Sequence, residues 1–251
     1  MDTSFHITIE NTTLSVRLDR PEKHNTLDPA TMAALREALE EAGDNDALRV
    51  MILTGTGKSF CAGADLGKLG RYNFDENPLE LLTDVVENLP FPTICALNGG
   101  VYGGGTDLAL SCDFRVGIVG MAAFIPPARI GIHYPPVGMA RAVARLGLGP
   151  TKRLFLACEK MSAEELKDIG FLDYLVAPEE LATRTTALAA DILNLAPLSL
   201  RGMKATLNEI ARGDMDVEKA RARQLACLQS DDFTEGRQAL AEKRKANFKG
   251  A

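Results

Sequence analysis

The chain has 251 residues, of which 46% are hydrophobic and 25% charged. This is ordinary globular usage for one large domain or a domain with an appendage, and it excludes disorder, collagen and coiled coil as the main character. The net charge is −6, which argues against a general nucleic-acid binder because such proteins carry a basic excess.

Three histidines, His6, His24 and His133, lie far apart with no cysteine cluster beside them. A zinc site therefore has little material. The start MDTSFHITIE is acidic and polar, unlike a secretory leader. No stretch approaches ~18 consecutive apolar residues, so no membrane span is expected. The five cysteines (Cys61, Cys95, Cys112, Cys158 and Cys227) are scattered and odd in number. They read as reduced, mostly buried thiols of a cytoplasmic protein.

Residues 5–19 predict two strands around a polar turn at Asn11 and Thr12, with Ile7 and Ile9, then Leu14, Val16 and Leu18, alternating. A loop follows. Asp28 then reads as an N-cap with Pro29 at the first helical position. Met32, Leu35 and Leu39 recur at helical spacing, and Gly43 ends the helix. The apolar run VMILTG (50–55) predicts a buried strand. A glycine-rich loop comes next, then a helix over 79–89, then a second buried strand in TICALNG (93–99). GGVYGGG breaks the chain again, TDLALSCD reads as a buried helix, and DFRVGI as a third buried strand. The repeat of strand, glycine loop, helix and strand argues for an α/β fold with stacked parallel strands.

Beyond residue 138 the pattern turns helical. Ser162 and Glu165 form a capping box, and Gly170 stops that helix. YLVA is a short strand. From Pro178 the chain is helical almost to its basic end, AEKRKANFKGA. The best boundary lies at Ala196 and Pro197, giving a core over 1–195 and a helical region over 196–251.

Several motifs fail on spacing. GTGKS (55–59) resembles the end of a P-loop, but Ile52 stands where the first glycine belongs. GGVYGGG lacks the GxGxxG spacing of a dinucleotide site. There is no GxSxG elbow and no HExxH pair.

What remains is a pair of glycine-rich loops, SFCAGADL (59–66) and NGGVYGGGTDLALSCD (98–113), each after a buried strand. Glycines let backbone N–H groups approach a ligand closely. The second loop runs into a helix start, where unpaired N–H groups and the positive dipole end meet. Two such loops side by side can aim two donors at one oxygen, an oxyanion hole for an enolate or tetrahedral intermediate. The alternative is that the glycines only serve tight turns and close packing. Two loops separated by a helix point to function.

Here the chain resembles a known family. RPEKHNTLD (20–28), VMILTGTGKSFCAGADL (50–66), PTICALNGGVYGGGTDLALSCDFRV (92–116) and the ending SDDFTEGRQALAEKRKANFKG together resemble the crotonase superfamily, the enoyl-CoA hydratases and isomerases. The resemblance covers nearly the whole chain. It implies a spiral of ββα turns followed by a helical region used for trimer formation. It implies an acyl-CoA thioester substrate with coenzyme A as part of that substrate and no separate cofactor, while the charge of −6, the scarce histidines and the lack of a long apolar run argue against a nucleic-acid partner, a metal and a membrane partner. It implies a homotrimer or a dimer of trimers. It places the oxyanion donors at Ala64 and Gly104, and substrate contacts at His24, Ala62, Asp65, Leu66, Lys245 and Phe248. Because coenzyme A is itself a polyanion, Lys23, Lys58, Lys68 and the basic tail are candidates to meet it.

The acid–base residues depart from the family. Hydratases use two glutamates. Asp107 stands at the first place, one methylene shorter. The second belongs in a segment similar to FIPPARIGIHYPP (124–136), where Ala128 or Arg129 occupies the place. A two-carboxylate mechanism thus lacks its second member.

Tyr134 resembles a tyrosine in a branch that includes the methylmalonyl-CoA decarboxylases. It has two readings of equal weight: a hydroxyl that orients a carboxylate or delivers a proton, or a pocket-wall residue with a satisfied hydroxyl. His133 reads as a surface or structural histidine rather than as a proton-transfer group. Arg129 reads as a structural ion-pair partner or a clamp for a substrate carboxylate. Asp107 also suits the first turn of a helix, but its motif position points to catalysis. The resemblance implies an enoyl-CoA hydratase/isomerase family enzyme. Decarboxylase, thioester hydrolase and non-catalytic acyl-CoA binder remain alternatives.

Overall fold

A computed structural model of the chain describes residues 4–65, 67–68 and 76–251. It starts with a hairpin. Strands β1 (Phe5–Glu10) and β2 (Thr13–Leu18) pair antiparallel. Asn11 turns the chain at a φ of 56°, a left-handed conformation that asparagine tolerates. Leu14, Val16 and Leu18 alternate into the core. Helix α1 (Pro29–Gly43) follows, with the Asp28 carboxylate accepting from the Thr31 amide at 2.9 Å. Proline at the first helical position has no N–H to leave unpaired there. Met32, Leu35 and Leu39 form the buried face of α1.

Three rounds of one theme then build the molecule. The first is β3 (Val50–Gly55), β4 (Ser59–Cys61) and helix α2 (Pro78–Asn88). The second is β5 (Thr93–Leu97), β6 (Gly100–Tyr102) and helix α3 (Gly104–Ser111). The third is β7 (Phe114–Ile118), β8 (Ala122–Phe124) and helix α4 (Pro136–Leu146). In each round the longer strand joins one sheet and the short strand another. Helix α5 (Leu148–Phe155), β9 (Met161–Ser162), α6 (Ala163–Asp168), β10 (Tyr174–Val176) and α7 (Leu181–Leu193) complete the core.

The first sheet has the order β1-β2-β3-β5-β7-β10 and is parallel apart from the β1 edge. The second has the order β4-β6-β8-β9. The parallel stacking expected from the apolar runs is present, and the fold is a spiral of ββα turns. The short strands β4, β6, β8 and β9 are not apparent in the sequence, where 59–61 and 100–102 read as glycine loops. Two or three residues are too few to show an alternation.

The main core packs α1, α2 and α3 against one face of the larger sheet. A smaller cluster (Val50, Ile94 and Val116 against Leu188, Ala189 and Ile192) seats α7 on the other face. All eight residues of α3 are buried. The Ser162–Glu165 capping box opens α6 as its sequence predicts. The five cysteines are free thiols, four of them buried.

Three helices end the chain: α8 (Pro197–Arg212), α9 (Val217–Leu228) and α10 (Asp231–Glu242). Lys204 of α8 ties them to the core, donating to Asp113 just beyond α3 at 2.7 Å and to the Phe91 carbonyl at 3.0 Å. Met203, Leu207, Leu228 and Leu240 are exposed along a groove between these helices, and Ile210 and Leu225 are exposed as well. No described helix is long and apolar enough to cross a membrane.

Asp28 does more than cap α1. Its carboxylate also pairs with Lys68, on the loop that follows β4. Burial opposes the charge, but Lys68 and the Thr31 amide hold the carboxyl at about 2, below its ordinary 3.8. A carboxyl depressed on folding stabilises the fold above its ordinary value and loses that contribution as pH falls through the depressed one. The shift is worth about 2 kcal/mol. Asp28→Ala should therefore destabilise the protein near neutral pH, with most of the difference gone at about pH 2. Urea unfolding of both proteins across the acid range checks this.

Candidate active site

Two backbone segments meet at the centre of the site. The loop after β4 is pinned to the segment before α1 by a single parallel bridge between Leu27 and Ala64. Leu27 donates to the Gly63 carbonyl at 2.8 Å, and Asp65 donates to the Leu27 carbonyl at 2.9 Å. In a parallel pairing of this kind the residue opposite keeps its own N–H on the far side. The Ala64 N–H therefore points away from Leu27, and Ala64 lines a cavity of about 290 Å³.

Gly104 lines the same cavity. It is the first residue of α3, where N–H groups have no partner within the helix. Among the described residues neither the Ala64 nor the Gly104 N–H meets an acceptor. The two segments touch so closely that a Cβ on Gly63 would fall on the Gly104 nitrogen, and one on Gly105 on the Cys61 carbonyl. Gly63 also sits at a φ of +80°, a conformation open to glycine and strained for other residues.

Tyr134 forms part of the cavity wall. Its hydroxyl donates to the Gly103 carbonyl at 3.2 Å. Gly103 O and Gly104 N–H belong to one planar trans peptide and point in opposite directions. Tyr134 thus holds the peptide in the orientation that presents the Gly104 N–H. Its ring packs edge-on against Phe155 at 4.8 Å. Burial, with Asp107 nearby, pushes the phenol well above its ordinary value, so the hydroxyl keeps its proton.

Asp107 is not among the residues lining the cavity. It is buried in α3, with Oδ1 2.5 Å from Nη1 of Arg141. Arg141 also donates to Glu87 at 3.0 Å and to Asp84 at 2.9 Å. Burial pushes the Asp107 carboxyl up against the pull of Arg141. Burial opposes the Arg141 charge as well, but Asp107 and Glu87 hold the guanidinium protonated. The first carboxylate position of the family pattern is therefore the anchor of an ion-pair cluster joining α2, α3 and α4.

At the second position, Ala128 and Arg129 lie exposed in a single 3₁₀ turn, Pro127–Ile130. Arg129 stacks over the Phe124 ring at 4.8 Å and donates to the Cys158 carbonyl at 3.0 Å. The adjoining cavity wall is apolar: Pro126, Pro127, Ile130 and Ile132. His133 lines the cavity mouth. Its Nδ1 lies 2.7 Å from the Tyr134 carbonyl, and a carbonyl only accepts, so Nδ1 carries a proton.

One carboxylate in the cavity lining has no motif to announce it. Glu80, in the first turn of α2, lines the cavity beside Leu79. In the sequence it is simply one of several acidic residues on a helix.

Of the other expected contacts, Ala62 lines the cavity and donates its N–H to the His24 carbonyl at 2.9 Å. The His24 ring meets the Ser59 hydroxyl at 3.0 Å. Asp65 accepts from the Gly67 amide at 3.1 Å. Leu66 lies outside the described residues. Lys23 and Lys58 are exposed, whereas Lys68 is engaged by Asp28. Lys245 and Phe248 do not line the cavity. Phe248 lines a larger apolar groove between α8, α9 and α10, and Asp232 holds the backbone beyond it through the Lys249 and Gly250 amides.

The enoyl-CoA hydratase/isomerase family profile matches residues 8–251. The chain belongs to that family. It is 34% identical over 241 residues to a crotonyl-CoA hydratase of Syntrophomonas wolfei, covering 92% of each chain. It is 34% identical to a carnitinyl-CoA dehydratase of Salmonella paratyphi A, covering all of both. Among solved structures, an enoyl-CoA hydratase from Bacillus anthracis superposes with a TM-score of 0.90 at 28% identity, over 99% of this chain and 100% of that one. The crotonase-type spiral that the resemblance implies is the fold of this family member.

Two expectations follow from the geometry. Asp107→Asn keeps an acceptor but removes one of three carboxylates around a buried guanidinium that retains Glu87 and Asp84, and should lower stability by roughly 1–3 kcal/mol, as read by denaturant unfolding. Tyr134→Phe should lower kcat by roughly tenfold with little change in KM, because it loosens a peptide whose N–H matters most in the transition state. Steady-state kinetics on any accepted thioester separates the two parameters.

Proposed function

We propose that this family member acts on an acyl-CoA thioester by stabilising its enolate. The observation that carries the reading is the pair of N–H groups, Ala64 and Gly104, that meet no acceptor among the described residues and line one largely apolar cavity. The thioester oxygen accepts from both. As the enolate forms, its negative charge grows on that oxygen, where fixed donors in a water-poor site act most strongly. The N-terminal end of α3 adds a favourable dipole. Coenzyme A enters as part of the substrate, and the chemistry needs no further cofactor. The Ala62–Asp65 loop and His24 are proposed to bind the coenzyme A portion, with Leu66 beside them.

In this reading Asp107 acts as a positioning residue through Arg141, and Tyr134 positions the Gly104 donor. A protonated tyrosine on the cavity wall also favours a second reading, decarboxylation, which needs the oxyanion hole but no base to remove a carbon-bound proton.

The exposed apolar side chains of α8, α9 and α10 support a homotrimer, alone or as a dimer of trimers. They also support the division into a spiral core over 1–195 and an assembly region over 196–251. Lys245 and Phe248 then belong to the tail that meets coenzyme A in an assembled particle. Free, mostly buried cysteines support a cytoplasmic setting.

The test uses a panel of crotonyl-, methylmalonyl- and aromatic-acyl-CoA thioesters followed by product mass. Gly104→Pro removes one donor at a position where a helix accepts proline. Gly104→Ala keeps the N–H and brings a similar Cβ against Leu79, whose Cδ2 lies 2.6 Å from where that Cβ would stand. The proline variant should lose roughly 10²–10³ in kcat relative to the alanine variant. Equal rates would remove Gly104 from the mechanism. Tight binding of every thioester with no product from any would favour a non-catalytic acyl-CoA binder.

A further inference from the structure

We infer that Glu80 is the group that moves the proton at the α-carbon of the bound acyl group, an inference that rests on the enolate reading above. The acidic residues of α2 form a stripe at Glu80, Asp84 and Glu87, spaced by four and three so that they share one helix face. That face meets α4. Asp84 and Glu87 are both taken by Arg141. Glu80, at the end of the stripe nearest the cavity, meets no cation among the described residues. Its Oε1 accepts from the Val137 amide at 3.2 Å, one turn before Arg141 on the same helix. Oε2 has no partner among the described residues.

Glu80 is thus held by one oxygen while the other is unclaimed, in a cavity it shares with Ala64 and Gly104. The neighbouring side chain, Leu79, packs against Gly104 itself. His133 shares the cavity but is exposed at its mouth, whereas Glu80 is half-buried. Asp107 is bound to Arg141.

In the step, the α C–H bond breaks and an O–H bond forms on Glu80. The C–H electron pair moves into the bond between the α-carbon and the thioester carbon, and the carbonyl π pair moves to the oxygen held by Ala64 and Gly104. The reverse step returns a proton to carbon. In deuterated water the carboxyl proton exchanges with solvent, so the reversal leaves deuterium at the α-carbon with no other net change.

The experiment follows deuterium uptake into butyryl-CoA by mass spectrometry, with thermal unfolding of each variant measured in parallel. Glu80→Gln keeps an acceptor for the Val137 amide, so its melting temperature should stay near that of the parent. Its exchange rate should fall by roughly 10²–10⁴, the range for loss of an acid–base group. His133→Asn should exchange at close to the parent rate. Parent-like exchange in Glu80→Gln overturns the inference and leaves the enolate reading standing, as does loss of exchange in His133→Asn alone. No exchange by the parent protein on butyryl-CoA, together with no turnover across the thioester panel, overturns the enolate reading and this inference with it.

Discussion

The contact on which the site depends is between two stretches of backbone. The Gly63 loop and the start of α3 approach until no side chain fits between them. Packing this tight normally needs hydrogen bonds across the gap, because buried N–H groups are costly when unpaired. Here, among the described residues, no backbone hydrogen bond joins the Gly63 loop to the start of α3, and the outward Ala64 and Gly104 N–H groups face a cavity instead. The cost is met elsewhere: Leu27 bridges one segment from behind, and the Tyr134 hydroxyl holds the other by its carbonyl. The strands and helices keep these two supports in register.

The same closeness explains the charge cluster beneath. α3 is short, wholly buried and starts with two glycines, so it has little propensity of its own. α2 and α4 must clamp it. Arg141 does this with a planar donor set that reaches Asp84, Glu87 and Asp107 together. Such a cluster is not a large net source of stability, because desolvation offsets much of its attraction. What it fixes is the relative placement of three helices, since each carboxylate comes from a defined position on α2 or α3. Gly138, one turn before Arg141, lets the helices approach: a Cβ there would lie 2.6 Å from Asp107 Oδ2.

Much of this architecture is legible in the sequence. The apolar runs within 50–55, 93–99 and 113–118 announce the parallel sheet, because strands buried on both faces cannot alternate. Asp28 with Pro29, and Ser162 with Glu165, mark their helix starts through side-chain chemistry that is local in the chain. The glycine loops announce close backbone approach, and Ala64 and Gly104 both line the cavity. What is not legible is long-range. Arg141 and Asp107 are 34 residues apart, and nothing in either neighbourhood signals the other. Asp107 in isolation looks like a reactive carboxylate at a helix start. Glu80 shows the converse: an unremarkable acidic residue that reaches a cavity wall only because α2 is set at a particular rotation. The strands of two or three residues escape because pairing, not composition, defines them.

The hydrogen bond from Tyr134 to Gly103 has a bearing on selectivity. Tyr134 belongs to the 124–136 segment, whose prolines and isoleucines wall the cavity where an acyl group would lie. The same segment, through one hydroxyl, sets the tilt of the peptide that carries the Gly104 donor. Fit and electrostatics are therefore mechanically linked. On the proposed enolate reading, an acyl group too bulky for this wall would displace Tyr134 and turn the donor off its target, lowering turnover more than binding.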